Sequence, residues 1–174
     1  MKNKAAKIFM VLAIIATMVF LAWLTARIVN DVKFDMNCKQ YLKRAADANS
    51  VETAKEELDK AISYAEENNL TEGFTSIFLH QPQNDIGYWY KNLTDAYDEL
   101  ENISEDATSL EKSNVLMKLR ETLTDETSSG DLVTVPYDIC TYPNNVAYFW
   151  WCILSAVACL IFWIMAYYLE EWDI

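Results

Sequence analysis

Residues that break helices are few in this sequence and unevenly placed. The chain has three glycines and three prolines in 174 residues, and none of them comes before Gly73 or Pro82. Glycine and proline are the residues that most often end a helix, so the first 72 residues can form long helices without an interior break. The sequence therefore predicts a mainly helical protein.

Histidine is almost absent, which limits the chemistry that the chain can perform. His80 is the only histidine, so a multi-histidine metal site is excluded, and no Ser/His/Asp or Cys/His arrangement lies near it. The Glu-rich stretches lack the Glu-x-x-His pattern of a di-iron helical bundle. No motif specifies a reaction. We therefore expect a protein that is not an enzyme and that carries no metal or other cofactor.

Charged residues are missing from two long runs, Ile8 to Ala26 and Val146 to Tyr168. Each run is long enough to cross a hydrocarbon core of roughly 30 Å, which takes about 20 helical residues. Two buried helices of a soluble core are the alternative, but the 116 residues from 30 to 145 are too few to cover both. The sequence predicts transmembrane helices at residues 8–29 and 146–168.

Basic residues near the first span predict the topology. Three lysines precede it: Lys2, Lys4 and Lys7. This favours a cytoplasmic N-terminus at residues 1–7, and the second span then returns residues 169–174 to the cytoplasm. The apolar run is too long for a cleaved signal peptide, and Leu24 stands where cleavage after Ala26 would need a small residue. We expect an uncleaved two-pass protein of the cell membrane, in particular a bacterial inner membrane.

Negative charge dominates the segment between the spans. Residues 30–145 hold ten basic and 23 acidic residues, a net charge of −13. Such a surface repels nucleic acid and anionic lipid headgroups, so we expect no nucleic-acid partner. Basic proteins or cationic ligands would be attracted to it, although the need for solubility explains the charge equally well.

Apolar residues recur at helical spacing in four segments between the spans. The first segment continues the first span to about Ala48, and the third begins near Asp85. Capping boxes mark the starts of the second and fourth: Asn49 with Glu52, and Thr108 with Glu111. The stripes of the first two segments are Val32, Phe34, Cys38, Tyr41, Leu42 and Ala45, then Val51, Ala54, Leu58, Ala61, Ile62 and Ala65.

These patterns predict the fold class: an all-α membrane protein with two transmembrane helices flanking an antiparallel four-helix domain at residues 30–126. An even number of helices places the loop from Leu70 to Asn84 at the membrane-proximal end. Residues 127–145 are a connector rich in turn residues, in which Leu132 to Val135 can form a short strand.

Two cysteines lie outside the spans, at the two ends of the predicted domain. Cys38 follows the first span and Cys140 precedes the second. In an oxidising compartment they can pair, and closing a loop of about 100 residues would stabilise the domain by roughly 4 kcal/mol. The alternative is two unrelated small apolar residues. We predict the disulfide.

Small residues form a stripe along the second span: Cys152, Ser155, Ala156 and Cys159. Transmembrane helices associate where small side chains let the backbones approach. Ala13, Ala16 and Thr17, or alternatively Ala22 and Ala26, offer a matching surface on the first span. Aromatic residues towards the two ends of the second span, Tyr148 and Trp163 among them, are typical of belts at the headgroup level.

One aromatic cluster has the residue types of a ligand site. Asp85, Tyr88, Trp89 and Tyr90 stand at the start of the third predicted helix, where they can enclose a cation or a sugar ring. Filling the bundle core is the alternative. Three Asn-x-Ser/Thr sequons begin at Asn69, Asn92 and Asn102, and they are relevant only in a eukaryotic secretory pathway.

Two spans that frame a helical bundle resemble the sensory part of transmembrane chemoreceptors and histidine kinases. The resemblance is one of architecture, and the 174 residues contain no cytoplasmic signalling region of the kind such receptors use. We therefore expect a non-enzymatic accessory or structural subunit of a membrane. Its partners are lipid and another membrane or extracytoplasmic protein, or a second copy of the chain. The alternative is a ligand-sensing module that signals through a partner protein.

Overall fold

Residues 2–104, 106–127 and 130–171 are described by the computed structural model. They fall into two units, which we call the span unit (Met1–Asn30 with Asn144–Ile174) and the helical unit (Asp31–Pro143). Part of the predicted C-terminal tail, residues 172–174, and residues 128 and 129 of the predicted connector lie outside the described residues.

Helices make up most of both units. In chain order the elements are α1 (Lys2–Phe34), a π-helical turn (Asp35–Lys39), α2 (Gln40–Ala46), α3 (Val51–Glu67), a 3₁₀ turn (Pro82–Asn84), α4 (Ile86–Glu101), α5 (Ser109–Leu123), β1 (Thr124–Thr127), β2 (Gly130–Val133), a second 3₁₀ turn (Ile139–Thr141) and α6 (Asn145–Glu171). The prediction of a mainly helical chain is confirmed.

The two longest helices, α1 and α6, contain the two charge-free runs. Both are long and apolar enough to cross a membrane. In the span unit their large apolar side chains are mostly exposed, including Ile8, Met18 and Leu21 on α1 and Leu154 and Leu160 on α6. A water-soluble surface rarely exposes so many large apolar side chains on neighbouring helical turns, whereas a lipid-facing surface does.

The first helix continues into the helical unit without a break, but there it is not a regular α-helix. The predicted helix to about Ala48 ends at Ala46 and includes a five-residue π-helical turn, Asp35–Lys39. Side chains of the predicted stripe on both sides of that turn, Phe34 and Leu42 among them, are buried. Val32 is an exception, because its side chain is exposed.

Side-chain caps begin the next three helices. The Ser50 hydroxyl accepts a hydrogen bond from the Thr53 N–H at 3.2 Å, so Ser50 is the N-cap of α3 and the prediction of Asn49 is wrong by one residue. Asp85 caps α4 as expected. The capping box of α5, Thr108 with Glu111, is confirmed.

An apolar core connects these helices. α2 packs on α3 and α5, and α4 also packs on α3 and α5. All six residues of the predicted α3 stripe are buried, and three of them are alanines, which let neighbouring helices approach closely. Leu58, Ile86 and Leu93 are among the largest fully buried side chains. Burying a leucine or isoleucine side chain contributes roughly 1.5–3 kcal/mol, so these side chains stabilise the packing of α3 and α4.

A small antiparallel hairpin follows α5. β1 pairs with β2, with Thr124 opposite Val133. The strand predicted at residues 132–135 is therefore only partly right, because β2 ends at Val133, and β1 was not predicted at all. The polar sequence of β1, Thr-Asp-Glu-Thr, lacks the alternation of apolar and polar residues that indicates a strand.

Candidate interaction sites

A groove of about 590 Å³ lies between the turn that joins α2 to α3 (residues 47–50) and one face of α5. We call it the α5 groove. Apolar side chains from both sides line it, including Val51 at the start of α3 and Leu116 and Met117 on α5. Met117 is 57% exposed, so its flexible thioether side chain is available to an incoming group.

Charged side chains fix the rim of the α5 groove. Arg120 on α5 contacts Asp47 of the turn at 3.0 Å and Asp131 of β2 at 3.2 Å. It therefore ties the turn, the helix and the hairpin together. Lys112 and Glu52 also line the groove. Hydrogen bonds from its own backbone N–H and from the Ser50 side chain lower the pKa of Glu52, and the charge of Lys112 lowers it further. Apolar residues with a charged rim are the composition of a small protein–protein contact.

A second groove, of about 500 Å³, lies on the other side of the same turn. Glu57 is its most unusual lining residue, because this carboxylate is only 3% exposed. Its Oε1 accepts hydrogen bonds from Arg44 at 2.9 Å and Lys60 at 2.8 Å, and both cations lie over the Tyr41 ring. Its Oε2 has no hydrogen-bond partner among the described residues. A buried carboxylate held by two cations fixes the packing of α2 on α3.

Basic residues are concentrated at the two grooves. Four of the ten basic residues of the helical unit line them: Lys43, Arg44, Lys112 and Arg120. The acidic lining residues are Asp47, Glu52 and Glu57. The charged residues that line the two grooves are therefore nearly balanced, although residues 30–145 carry a net charge of −13.

The aromatic cluster predicted as a ligand site does not form one site. Asp85 caps α4, Tyr88 is exposed, and Trp89 is buried with its indole N–H donating to the Thr134 carbonyl at 3.2 Å. The Tyr90 hydroxyl donates to Glu66 at 2.6 Å. Consecutive helical residues point about 100° apart, so these side chains face different surroundings instead of enclosing a common ligand.

The predicted disulfide between Cys38 and Cys140 is not supported, because both cysteines are present as thiols. Cys38 is fully buried and its Sγ lies 3.9 Å from the Ala61 carbonyl oxygen of α3. Cys140 lies in the second 3₁₀ turn and packs against the core. The Cys38 side chain therefore serves as a small apolar residue between helices, which was the alternative interpretation of the sequence.

Polar contacts join α1 to α6 within the span unit. The Thr17 hydroxyl lies 3.3 Å from the Cys159 sulfur and accepts a hydrogen bond from the Trp163 indole at 3.2 Å. Nearer the other end of α1, the Trp23 indole donates to the Tyr148 carbonyl at 2.9 Å, and the Asn30 amide donates to the Tyr148 hydroxyl at 2.8 Å. The two helices are therefore antiparallel.

The small-residue stripe of α6 takes part in this pairing to different degrees. Ser155 is buried, while Cys152, Ala156 and Cys159 are half-buried. On α1, Ala13 and Ala16 are buried. Sequence reasoning assigned Trp163 and Tyr148 to headgroup belts only, and their inward hydrogen bonds were missed.

No group of three or more histidine, cysteine or acidic side chains that could hold a metal ion is found among residues 2–104, 106–127 and 130–171. Of the sequon asparagines, Asn69 and Asn102 are exposed and Asn92 is half-buried. The α5 groove was not predicted, although the exposed apolar side chain of Met117 on α5 was a signal for it.

Comparison with known proteins finds no family model, no curated protein and no solved structure that matches this chain.

Proposed function

We propose that this chain is a non-enzymatic accessory or structural subunit of a membrane. In this proposal α1 and α6 cross the bilayer with both termini in the cytoplasm, and the helical unit lies outside the cytoplasm. There it docks on a partner protein through the α5 groove. The four helices of the unit act as an antiparallel bundle that presents the groove.

The observation that carries this proposal is the α5 groove itself. It combines apolar lining residues, an exposed methionine and a rim of fixed charges, and four basic residues of this strongly acidic unit line it or the adjacent groove. A partner segment would place an apolar side chain against Leu116 and Met117 and polar groups against Lys112 and Arg120. Acidic partners would be repelled elsewhere on the unit, so the net charge would direct them to this end.

The contacts of the span unit support an anchoring role. Thr17, Cys159 and Trp163 bring polar atoms together between two otherwise apolar helices. A hydrogen bond between transmembrane helices contributes about 0.6 kcal/mol on average, so several such contacts would hold the pair without a soluble partner. The remaining exposed apolar faces suit lipid or the spans of a partner.

A paired substitution on α5 tests the proposal. Met117→Asp places a carboxylate in the groove, and Leu110→Asp places one on the same helix outside the groove lining, at a side chain that is 70% exposed. The full chain would be purified from its own membranes in mild detergent. We expect a stoichiometric partner with the wild type and with Leu110→Asp, and its loss with Met117→Asp.

Two results would contradict the docking role. One is the absence of any stoichiometric partner for the wild type, and the other is equal recovery with Met117→Asp and Leu110→Asp. A partner that is recovered only when a small molecule is added would replace the proposal with the ligand-sensing alternative.

A further inference from the structure

One segment of the helical unit lacks the charge that covers the rest. The twelve residues from Gly73 to Asn84 contain no Asp, Glu, Lys or Arg, and they form the longest such run between residues 31 and 143. We call residues 76–83 the loop tip. Two adjacent apolar residues of the tip are exposed, Phe78 by 73% and Leu79 by 69%.

Hydrogen bonds hold the base of this loop. The Thr75 N–H donates to the Asn84 carbonyl at 3.0 Å, and the Ile86 N–H donates to the Gly73 carbonyl at 2.9 Å. Inside the loop, the rings of Phe74 and His80 stack with centroids 4.3 Å apart. The base of the loop is therefore held in place by hydrogen bonds, and the exposed apolar side chains of the tip extend from this fixed base.

The base of the loop is also bound to the chain just before α6. The Tyr142 hydroxyl donates to the Glu72 carbonyl at 2.9 Å, and Gly73, whose φ is 95°, leaves room for the Tyr142 ring because it has no Cβ. Asn145, the first residue of α6, comes three positions after Tyr142 in the chain. The loop base is thus bound to the short segment that leads into α6.

We propose that the loop tip inserts Phe78 and Leu79 into the interfacial layer of the membrane, on the side where the helical unit lies. This inference rests on the proposed function, which places α6 across the bilayer. An aromatic and an aliphatic side chain without neighbouring charge suit the headgroup layer, whereas the acidic remainder of the unit is repelled by anionic headgroups. The lack of charge in this run favours lipid over a protein partner, for which the charged α5 groove is the better surface.

Photo-crosslinking in the native membrane tests this directly. p-Benzoyl-phenylalanine would be introduced into the full chain at position 78, at position 79 and, as a matched control, at position 110. Leu110 is as exposed as the loop tip residues but lies on α5. After illumination, mass spectrometry would detect covalent phospholipid adducts. We expect adducts at positions 78 and 79 and only background at position 110.

The outcomes separate this inference from the proposed function. Protein adducts or no adducts at positions 78 and 79, in a chain that resists alkaline extraction from the membrane, would overturn the loop insertion alone. A chain that alkaline carbonate releases from the membrane would overturn both. Equal yields of phospholipid adducts at positions 79 and 110 would also overturn the loop insertion, because labelling would then not depend on the loop.

Discussion

The two ends of α3 show opposite surface chemistry. At the Val51 end, the helix cap, the α2–α3 turn and α5 bring charged residues around two grooves. At the Glu67 end, about 24 Å away at 1.5 Å per residue, the chain continues into a loop with an uncharged, exposed apolar tip. A unit that is acidic as a whole therefore has one end with charged grooves and one end with an uncharged apolar loop.

The difference matches the two contacts that we propose for the unit, with a polypeptide at one end and with lipid at the other. A polypeptide offers both apolar and hydrogen-bonding groups, so a groove for it needs apolar lining and oriented charges such as Arg120. A headgroup layer accepts aromatic and aliphatic side chains but is repelled by carboxylates. Net charge alone would have suggested one uniform acidic surface, and the difference between the ends appears only when the residues are assigned to places in the fold.

The largest effect is expected from the core that connects the two ends. Leu93 on α4 is fully buried, so Leu93→Ala should destabilise the helical unit by about 2–5 kcal/mol, and both ends should unfold together. Leu110→Ala, at an exposed site, should stay within about 0.5 kcal/mol of the wild type. Urea unfolding of the full chain in detergent, followed by circular dichroism, measures both. Equal stability of the two variants would show that Leu93 is not part of the apolar core.

A glycine comparison addresses the loop end. Gly73 and Gly130 both have positive φ, but a Cβ at Gly73 would overlap the Tyr142 hydroxyl whereas a Cβ at Gly130 meets open space. Each substitution by alanine should cost about 1–3 kcal/mol in backbone strain. Gly73→Ala should lose about 1 kcal/mol more, because the hydrogen bond from Tyr142 to Glu72 is broken.

The same unfolding assay measures this difference. It should be accompanied by weaker lipid crosslinking at position 79 in Gly73→Ala and unchanged crosslinking in Gly130→Ala. A larger loss of stability in Gly130→Ala would refute the described contact at the loop base.

A cap comparison addresses the groove end at smaller magnitude. Ser50→Ala should destabilise the unit by about 1 kcal/mol, because the hydroxyl that accepts from Thr53 is lost. Asn49→Ala should have almost no effect. A larger loss of stability in Asn49→Ala than in Ser50→Ala would show that Asn49 is the N-cap, as the sequence alone suggested, and would shift the start of α3 by one residue.

Acid and alkali should affect the two ends differently. At the groove end, a hydrogen bond from the Thr108 backbone N–H lowers the pKa of Glu111 below its ordinary value of 4.5. The stabilisation from Glu111 is thus complete above pH 4.5 and is lost as the pH falls through the lowered pKa. At the loop end, the hydrogen bond to Glu66 raises the pKa of Tyr90 to about 12, so its stabilisation is present below pH 10 and is lost as the pH rises.

Amide hydrogen exchange as a function of pH, analysed at equal intrinsic exchange rates, separates these two effects. Protection of the first turn of α5 should decrease first on acidification, and protection where α4 meets α3 should decrease first on alkalinisation. Glu111→Gln should remove the first dependence and Tyr90→Phe the second. Persistence of either dependence in its variant would assign it to another group.

Local sequence patterns were sufficient to predict much of the fold. The charge-free runs predicted α1 and α6, and all six residues of the α3 stripe are buried. Thr108 was identified as a cap, and the start of a helix was placed near Asp85, because a side-chain oxygen followed by a helical pattern is a local signal. Asn49 and Ser50 are both good caps and adjacent, so the sequence could not choose between them.

The features that were missed depend on distant parts of the chain. The Trp89 indole N–H donates to the Thr134 carbonyl, 45 residues away in the chain. The sequence alone therefore could not distinguish a buried Trp89 from one that binds a ligand. The positions of Cys38 and Cys140 in the chain placed them at the two ends of the predicted domain. The direction of the Cys38 side chain, towards Ala61, is set by helix packing and could not be predicted from those positions. The α5 groove likewise needs the turn, α5 and the hairpin to meet at Arg120.

Topology is the most direct test of the central claim that the helical unit lies outside the cytoplasm between two spans. Leu110→Cys introduces a thiol at a side chain that is 70% exposed on α5. An impermeant maleimide added to intact cells should label this variant well above the wild type, whose cysteines are all buried or half-buried. Labelling that appears only after the cells are lysed would place the helical unit in the cytoplasm and contradict the account.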